Sequence, residues 1–143
     1  MGFGNPYGDE YNEDIVYKWT NALHQLGVSV MSLADTVGLA TPEQVERITR
    51  HVIQSLPEVE IGVHLHSSPE QWKEKTEAAL RAGCFRFDSA IKGIGGCPMA
   101  GNTLIGNMDT EKLIAYFNEK SMLPIIQAAP LNTCIQLANQ VFV

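Results

Sequence analysis

The chain has 143 residues, 45% of them hydrophobic, and a formal net charge of −6. That is enough for one domain with its own core, and it lacks the basic footprint a nucleic-acid surface needs. No run approaches the roughly 18 to 20 apolar residues of a membrane span. The opening MGFGNPYGDEYNED has neither the charged nor the apolar region of a signal peptide, and Pro6 stands where a myristoylation motif needs Ser or Thr. Cys84, Cys97 and Cys134 are odd in number and irregular in spacing, which is no disulfide framework. The expectation is a soluble, cytoplasmic protein with free thiols and no nucleic-acid or membrane partner.

Taken in order, the chain alternates strand and helix. If MGFG is a first strand, a helix follows with Ile15, Trp19, Leu23 and Leu26 as its apolar stripe and Gly27 as its stop. VSVMSLAD reads as a strand. TPEQVERITRHVIQSL is a helix with Thr41 as N-cap, Pro42 in the first turn and Gln44 closing a capping box; Val45, Ile48, Val52 and Leu56 form its buried stripe. VEIGVHLH is the next strand. SSPEQWKEKTEAALRAG repeats the capping device with Ser68, Pro69 and Gln71, and stops at Gly83. CFRFDSAI is a strand, and a glycine-rich loop occupies residues 92–108. DTEKLIAYFNEK is helical, residues 121–130 with two prolines are a connector, and residues 131–143 form a last helix. Strands nearly continuous in apolar residues, recurring about every 25 to 31 residues, imply a parallel sheet with right-handed crossovers.

An open doubly wound sheet and a (β/α)₈ barrel both have this order. The distribution of polar residues decides between them. Asn5 and Tyr7, Asp35 and Thr36, His64 and His66, and the Cys97 loop each follow a different strand. Gathering such residues at the carboxyl ends of consecutive parallel strands is how a barrel builds a site, and a full barrel takes about 250 residues. The fold class expected is therefore α/β, with parallel (β/α) repeats forming about half of a TIM barrel plus a carboxyl-terminal helix, all in a single partial domain over residues 1–143.

His64 and His66, at i and i+2 of one strand, project from the same face, so one cation can take both; surface or core histidines are the plain alternative. Asn107, just before a helix, reads as a turn residue or cap, or as a carbonyl-oxygen ligand. Two imidazoles with an amide oxygen suit Mg²⁺ or Mn²⁺, with Zn²⁺ possible. Cys97 in GIGGCPM has the surroundings of a lid cysteine that could be a nucleophile, an acid or a ligand. Cys84 and Cys134, in apolar-periodic segments, read as inert packing residues. His24 and His51 lie within helices as solvated or satisfied residues. Asp35 is a turn residue or an orienting carboxylate. Asp88 falls inside a strand expected to be buried, where it needs Lys92 or a histidine as partner.

Four stretches, GFGNPYGD, SLADTVG, GVHLHSSP and KGIGGCPMAGNTLIGNMDTEKL, resemble in order and spacing the carboxyl-terminal half of the hydroxymethylglutaryl-CoA lyases. These belong to the metal-dependent lyase and synthase barrels. The His-x-His strand is shared across that superfamily, whereas the Gly-Gly-Cys-Pro loop is specific to the lyases. The resemblance covers residues 1 to about 120. It implies retro-Claisen cleavage of 3-hydroxy-3-methylglutaryl-CoA to acetyl-CoA and acetoacetate, with an acyl-CoA as partner. His64, His66 and Asn107 match metal ligands, and His64 also matches a proton-transfer histidine. Cys97 matches the loop cysteine that handles the proton at the acetyl-CoA carbanion. Asp35 matches an aspartate near the substrate, and Thr36 and Asn5 go with it as substrate-binding positions.

Two departures carry weight. The superfamily often has His-x-His-Asp-Thr where this chain has His-Leu-His-Ser-Ser, so Ser67 supplies no carboxylate. The family's first-strand Asp-Arg-Glu-type motif, which brings a fourth ligand and an enolate-stabilising arginine, has no counterpart in these residues. The expectation is half an active site, impaired alone, with open sheet edges that favour a homo-oligomer or a missing amino-terminal half. An expressed fragment, a split gene product and an inactive remnant would all look like this. Two further readings remain at this point: a non-catalytic half-barrel that dimerises through its edges, and a zinc hydrolase using His64, His66 and Cys97.

Overall fold

A computed structural model describes residues 1–96 and 105–142. Its elements run α1 (Glu13–Gln25), β1 (Val30–Asp35), α2 (Pro42–Ser55), β2 (Glu60–Ser67), α3 (Trp72–Arg81), β3 (Arg86–Phe87), a 3₁₀ turn (Ile91–Gly93), β4 (Gly106–Asn107), α4 (Thr110–Glu119) and α5 (Ala128–Val141). β2 is central. β1 pairs parallel to it from Val30↔Glu60 to Asp35↔Leu65, and β3 pairs parallel on its other side at Gly62↔Arg86 and Val63↔Phe87. β4 returns antiparallel over the carboxyl end of β2, with Asn107 opposite His66.

α2 shows how local sequence sets an element. Thr41 accepts from the Gln44 amide at 3.3 Å while the Gln44 side chain accepts from the Thr41 amide at 3.0 Å. Pro42 occupies the first turn, where its missing N–H costs nothing. Val45, Ile48, Thr49 and Val52 are then buried against Ile61, Val63 and Leu65 from the helix-facing side of β2. Alternation along β2 leaves Glu60, Gly62, His64 and His66 on the opposite, concave face.

Several expectations are corrected. MGFG is not a strand. It meets β1 through one bond, Gly2 N–H to the Ala34 carbonyl at 2.8 Å, and then turns away at Gly4 and Gly8, both at positive φ; Phe3 is nonetheless buried in the core. α3 begins at Trp72, because Ser68 closes a turn with the Gln71 amide and no side chain caps the helix. The strand expected over CFRFDSAI shrinks to Arg86–Phe87, followed by a single parallel bridge from Ala90 to Asp109. α5 starts at Ala128, so Pro130 sits in its first turn rather than in a connector.

α1 forms where expected but buries a different arc. Val16 and Thr20 point inward, the Thr20 hydroxyl donating to the Val16 carbonyl at 2.8 Å. Trp19 and Leu26 are 62% and 82% exposed, and Leu23 is also exposed. Trp19, Leu23 and Ile15 line an open groove of about 530 Å³ with Met1, Tyr7 and Ser32. Cys84 is fully buried, but Cys134 is exposed on α5 rather than packed. No described helix is long and apolar enough to cross a membrane.

Candidate functional site

The carboxyl end of β2 organises the site. The His64 and His66 rings lie edge to face with centroids 5.1 Å apart. His66 is buried, and its Nδ1–H donates to the Asp35 carbonyl at 3.0 Å. A carbonyl can only accept, so that bond places the proton on Nδ1 and leaves the Nε2 lone pair free. Burial pulls the His66 imidazole below its ordinary value; the bond to Asp35 opposes this, and the neighbouring His64 adds to it. His64 is more open, its side chain 39% exposed, and its Nδ1 lies 3.8 Å from Asp88 Oδ2.

Asp88 is half-buried beyond the end of β3, with Arg86 3.8 Å from its other oxygen. His64 and Arg86, rather than Lys92, are thus its partners. The Lys92 amide donates to Glu111 and its ammonium to Asn139. His24 bonds the Val28 carbonyl at 3.4 Å and His51 packs against Tyr17, both away from this cluster.

Asn107 is brought to His66 by the β2–β4 pairing. Its Nδ2 donates to the Ile94 carbonyl at 2.9 Å, which fixes the amide plane and leaves Oδ1 without a partner among the described residues. The glycines of the loop make this possible. A Cβ on Gly95 would stand 3.0 Å from Asn107 Nδ2, and one on Gly93 2.9 Å from the Asn107 carbonyl; both glycines have positive φ. In this stretch glycine serves close packing around Asn107, where the sequence suggested lid mobility. Cys97 lies outside the described residues.

The Asp35 carboxylate lies on the helix side of β1 and is 2% exposed. Oδ2 accepts from Lys75 Nζ at 2.8 Å and Oδ1 from the Ala40 amide at 3.1 Å. It orients neighbours and offers no free oxygen to a substrate. Thr36 is half-buried in the turn that follows. The Asn5 carbonyl oxygen accepts from the Tyr7 amide at 2.9 Å, closing its own loop, and Asn5 borders the groove beside α1. Lys75 and Arg86 were missed by sequence reasoning. Lys75 had one signal: it sits between Trp72 and Ala79 at i+3 and i+4 spacing, on the arc α3 buries.

No group of three or more His, Cys, Asp or Glu side chains gathers for a metal among the described residues. The donor set here is different: two imidazoles with their Nδ1 atoms directed elsewhere and one oriented amide oxygen. Such nitrogen and oxygen donors without thiolate fit a divalent cation with positions left open for other ligands.

The HMGL-like family model matches residues 2–139. The chain belongs to the HMGL-like family. It is 34% identical over 116 residues to the (R)-citramalyl-CoA lyase of Chloroflexus aurantiacus, covering 81% of this chain and 36% of that protein. It superposes on the HMG-CoA lyase of Bacillus subtilis with a TM-score of 0.86 at 28% identity, covering 97% of this chain and 46% of that one. An HMG-CoA lyase from Acinetobacter baumannii, in complex with coenzyme A and 3-methylmalate, matches with a TM-score of 0.76 at 35% identity over 87% of this chain and 41% of that one. The fold is thus a partial (β/α) barrel, and the chain spans little more than a third of the curated relative. HMGL-like barrels give the concave face of β2 its meaning: it is the inner wall, and His64 and His66 stand at its carboxyl rim.

Proposed function

We propose that the chain carries the metal-holding and proton-handling part of a carbon–carbon lyase that cleaves 3-hydroxy-3-methylglutaryl-CoA to acetyl-CoA and acetoacetate. The observation that carries this is the juxtaposition of two oriented imidazoles with the Asn107 amide across the β2–β4 pair. His64, His66 and Asn107 would hold Mg²⁺ or Mn²⁺, which supplies Lewis-acid stabilisation of charge on the substrate's hydroxyacid oxygens.

The chain's own groups divide the remaining work. His66 is a fixed donor, locked by Asp35. His64 faces Asp88 and is open enough to reach a substrate, so the hydroxyl proton leaves to that pair. The hydroxyl carbon then becomes the ketone of acetoacetate, and the electrons of the broken C–C bond pass to the thioester fragment. That carbanion takes a proton from the Cys97 thiol, giving acetyl-CoA.

The partner is the complementary amino-terminal portion of the barrel, which would bring the fourth ligand and the arginine. The exposed Trp19, Leu23 and Leu26 stripe supports an unmet neighbour on that side. We place this enzyme in the cytoplasm. The test is lyase assay of the purified chain with Mg²⁺ or Mn²⁺, alone and mixed with the amino-terminal half of an HMG-CoA lyase. Turnover is expected only in the mixture. Full turnover by the chain alone would overturn the division of the site, and neither turnover nor Mn²⁺ binding in any mixture would overturn the lyase reading.

A further inference from the structure

Lys75 is 1% exposed and Asp35 2%. Burying such a pair costs desolvation that its attraction scarcely repays, so the pair is not explained as a stabilising device. Its connections are more telling. The ammonium has three donors and three acceptors: Asp35 Oδ2 at 2.8 Å, the His66 carbonyl at 3.0 Å and the Gly38 carbonyl at 3.1 Å. Asp35 in turn receives the His66 Nδ1–H on its own carbonyl at 3.0 Å, and that carbonyl also takes the Gly38 amide at 3.1 Å. A closed circuit results, Lys75 to Asp35, Asp35 to the His66 ring, and the His66 backbone back to Lys75. Lys75 Nζ and the Asp35 carbonyl oxygen thus each tie the ends of β1 and β2 and the turn after β1 together.

We propose that Lys75 is a positioning residue for His66: it clamps the carboxyl end of β1 against β2 so that the Asp35 carbonyl holds the ring with Nε2 presented for ligation. The inference deepens the lyase reading, but its first readout does not depend on it. Long-range ¹H–¹⁵N NMR of the chain reports the proton position on each histidine. His66 is expected as the fixed Nδ1–H form; finding Nε2–H in the unaltered protein overturns the proposal at once.

The Asp35→Asn, Lys75→Met double substitution removes both charges together and so avoids stranding one. It is expected to lose the fixed His66 pattern, leave that of His64 unchanged and weaken Mn²⁺ binding at least tenfold. A folded double variant that keeps both the His66 pattern and the Mn²⁺ affinity makes Lys75 a packing residue and overturns the proposal. Should the unaltered chain bind no Mn²⁺, the metal reading fails while the NMR arm still judges Lys75.

Discussion

The junction under His66 and the outer face of α1 are opposites. At the junction an ammonium, a carboxylate and an imidazole are buried, and each has its partners within the chain. On α1 a tryptophan and two leucines stand in solvent beside an open groove. Polar groups are covered at the junction, and apolar ones are bare on α1. The polar junction is therefore satisfied internally, whereas the α1 flank presents apolar surface of the kind that marks contact sites.

The largest test of that contrast is Lys75→Ala. It strands the Asp35 carboxylate and should cost about 3–5 kcal/mol, read as a lower urea midpoint. Next comes alkaline pH. Burial pushes the Cys84 thiol from 9.0 up to about 11, and its Sγ donates to the Arg86 carbonyl at 3.2 Å. A pKa raised on folding means the unfolded chain releases its proton first, so stability is full below pH 9 and falls as pH rises from 9 to 11. The loss is about 2–3 kcal/mol, measured by denaturation at each pH. Cys134, exposed on α5, should react with iodoacetamide in the native protein while Cys84 reacts only after unfolding.

A smaller effect of opposite sign sits in the core. The buried Thr49 Oγ1 has no hydrogen-bond partner among the described residues, so Thr49→Val should stabilise by about 1 kcal/mol and raise the melting temperature. The smallest is on the bare face. Trp19→Ser should change stability by no more than about 0.5 kcal/mol, yet reduce self-association or binding to the complementary half in sedimentation. A large stability loss there would mean that the face is already covered.

What the sequence reveals follows the range of the interaction. α2 is legible because Thr41, Pro42 and Gln44 act on one another within one turn. The parallel pairing of β1, β2 and β3 is legible because strands nearly continuous in apolar residues alternate with helices. At α3 the Ser-x-x-Gln pattern misleads, since the Gln71 amide goes to the Ser68 backbone carbonyl in a turn and no side chain caps the helix. On α1 more than one arc can be buried, and periodicity does not say that Val16 and Thr20 are the residues that turn inward. His64, His66 and Asn107 are legible as donor types. Their orientation is not, because it depends on Asp35, Lys75, Asp88 and Ile94, each distant in sequence from the ring or amide it holds.

The pairing of Gly96 with Gly106 has a separate consequence. It shuts a gate behind Asn107: chain that leaves at Gly96 must come back at Gly106, whatever lies between. Closure entropy grows only slowly with length, by about 0.6 kcal/mol per doubling. Changes in the number of residues between Gly96 and Gly106 should therefore cost little stability while Asn107 keeps its register opposite His66.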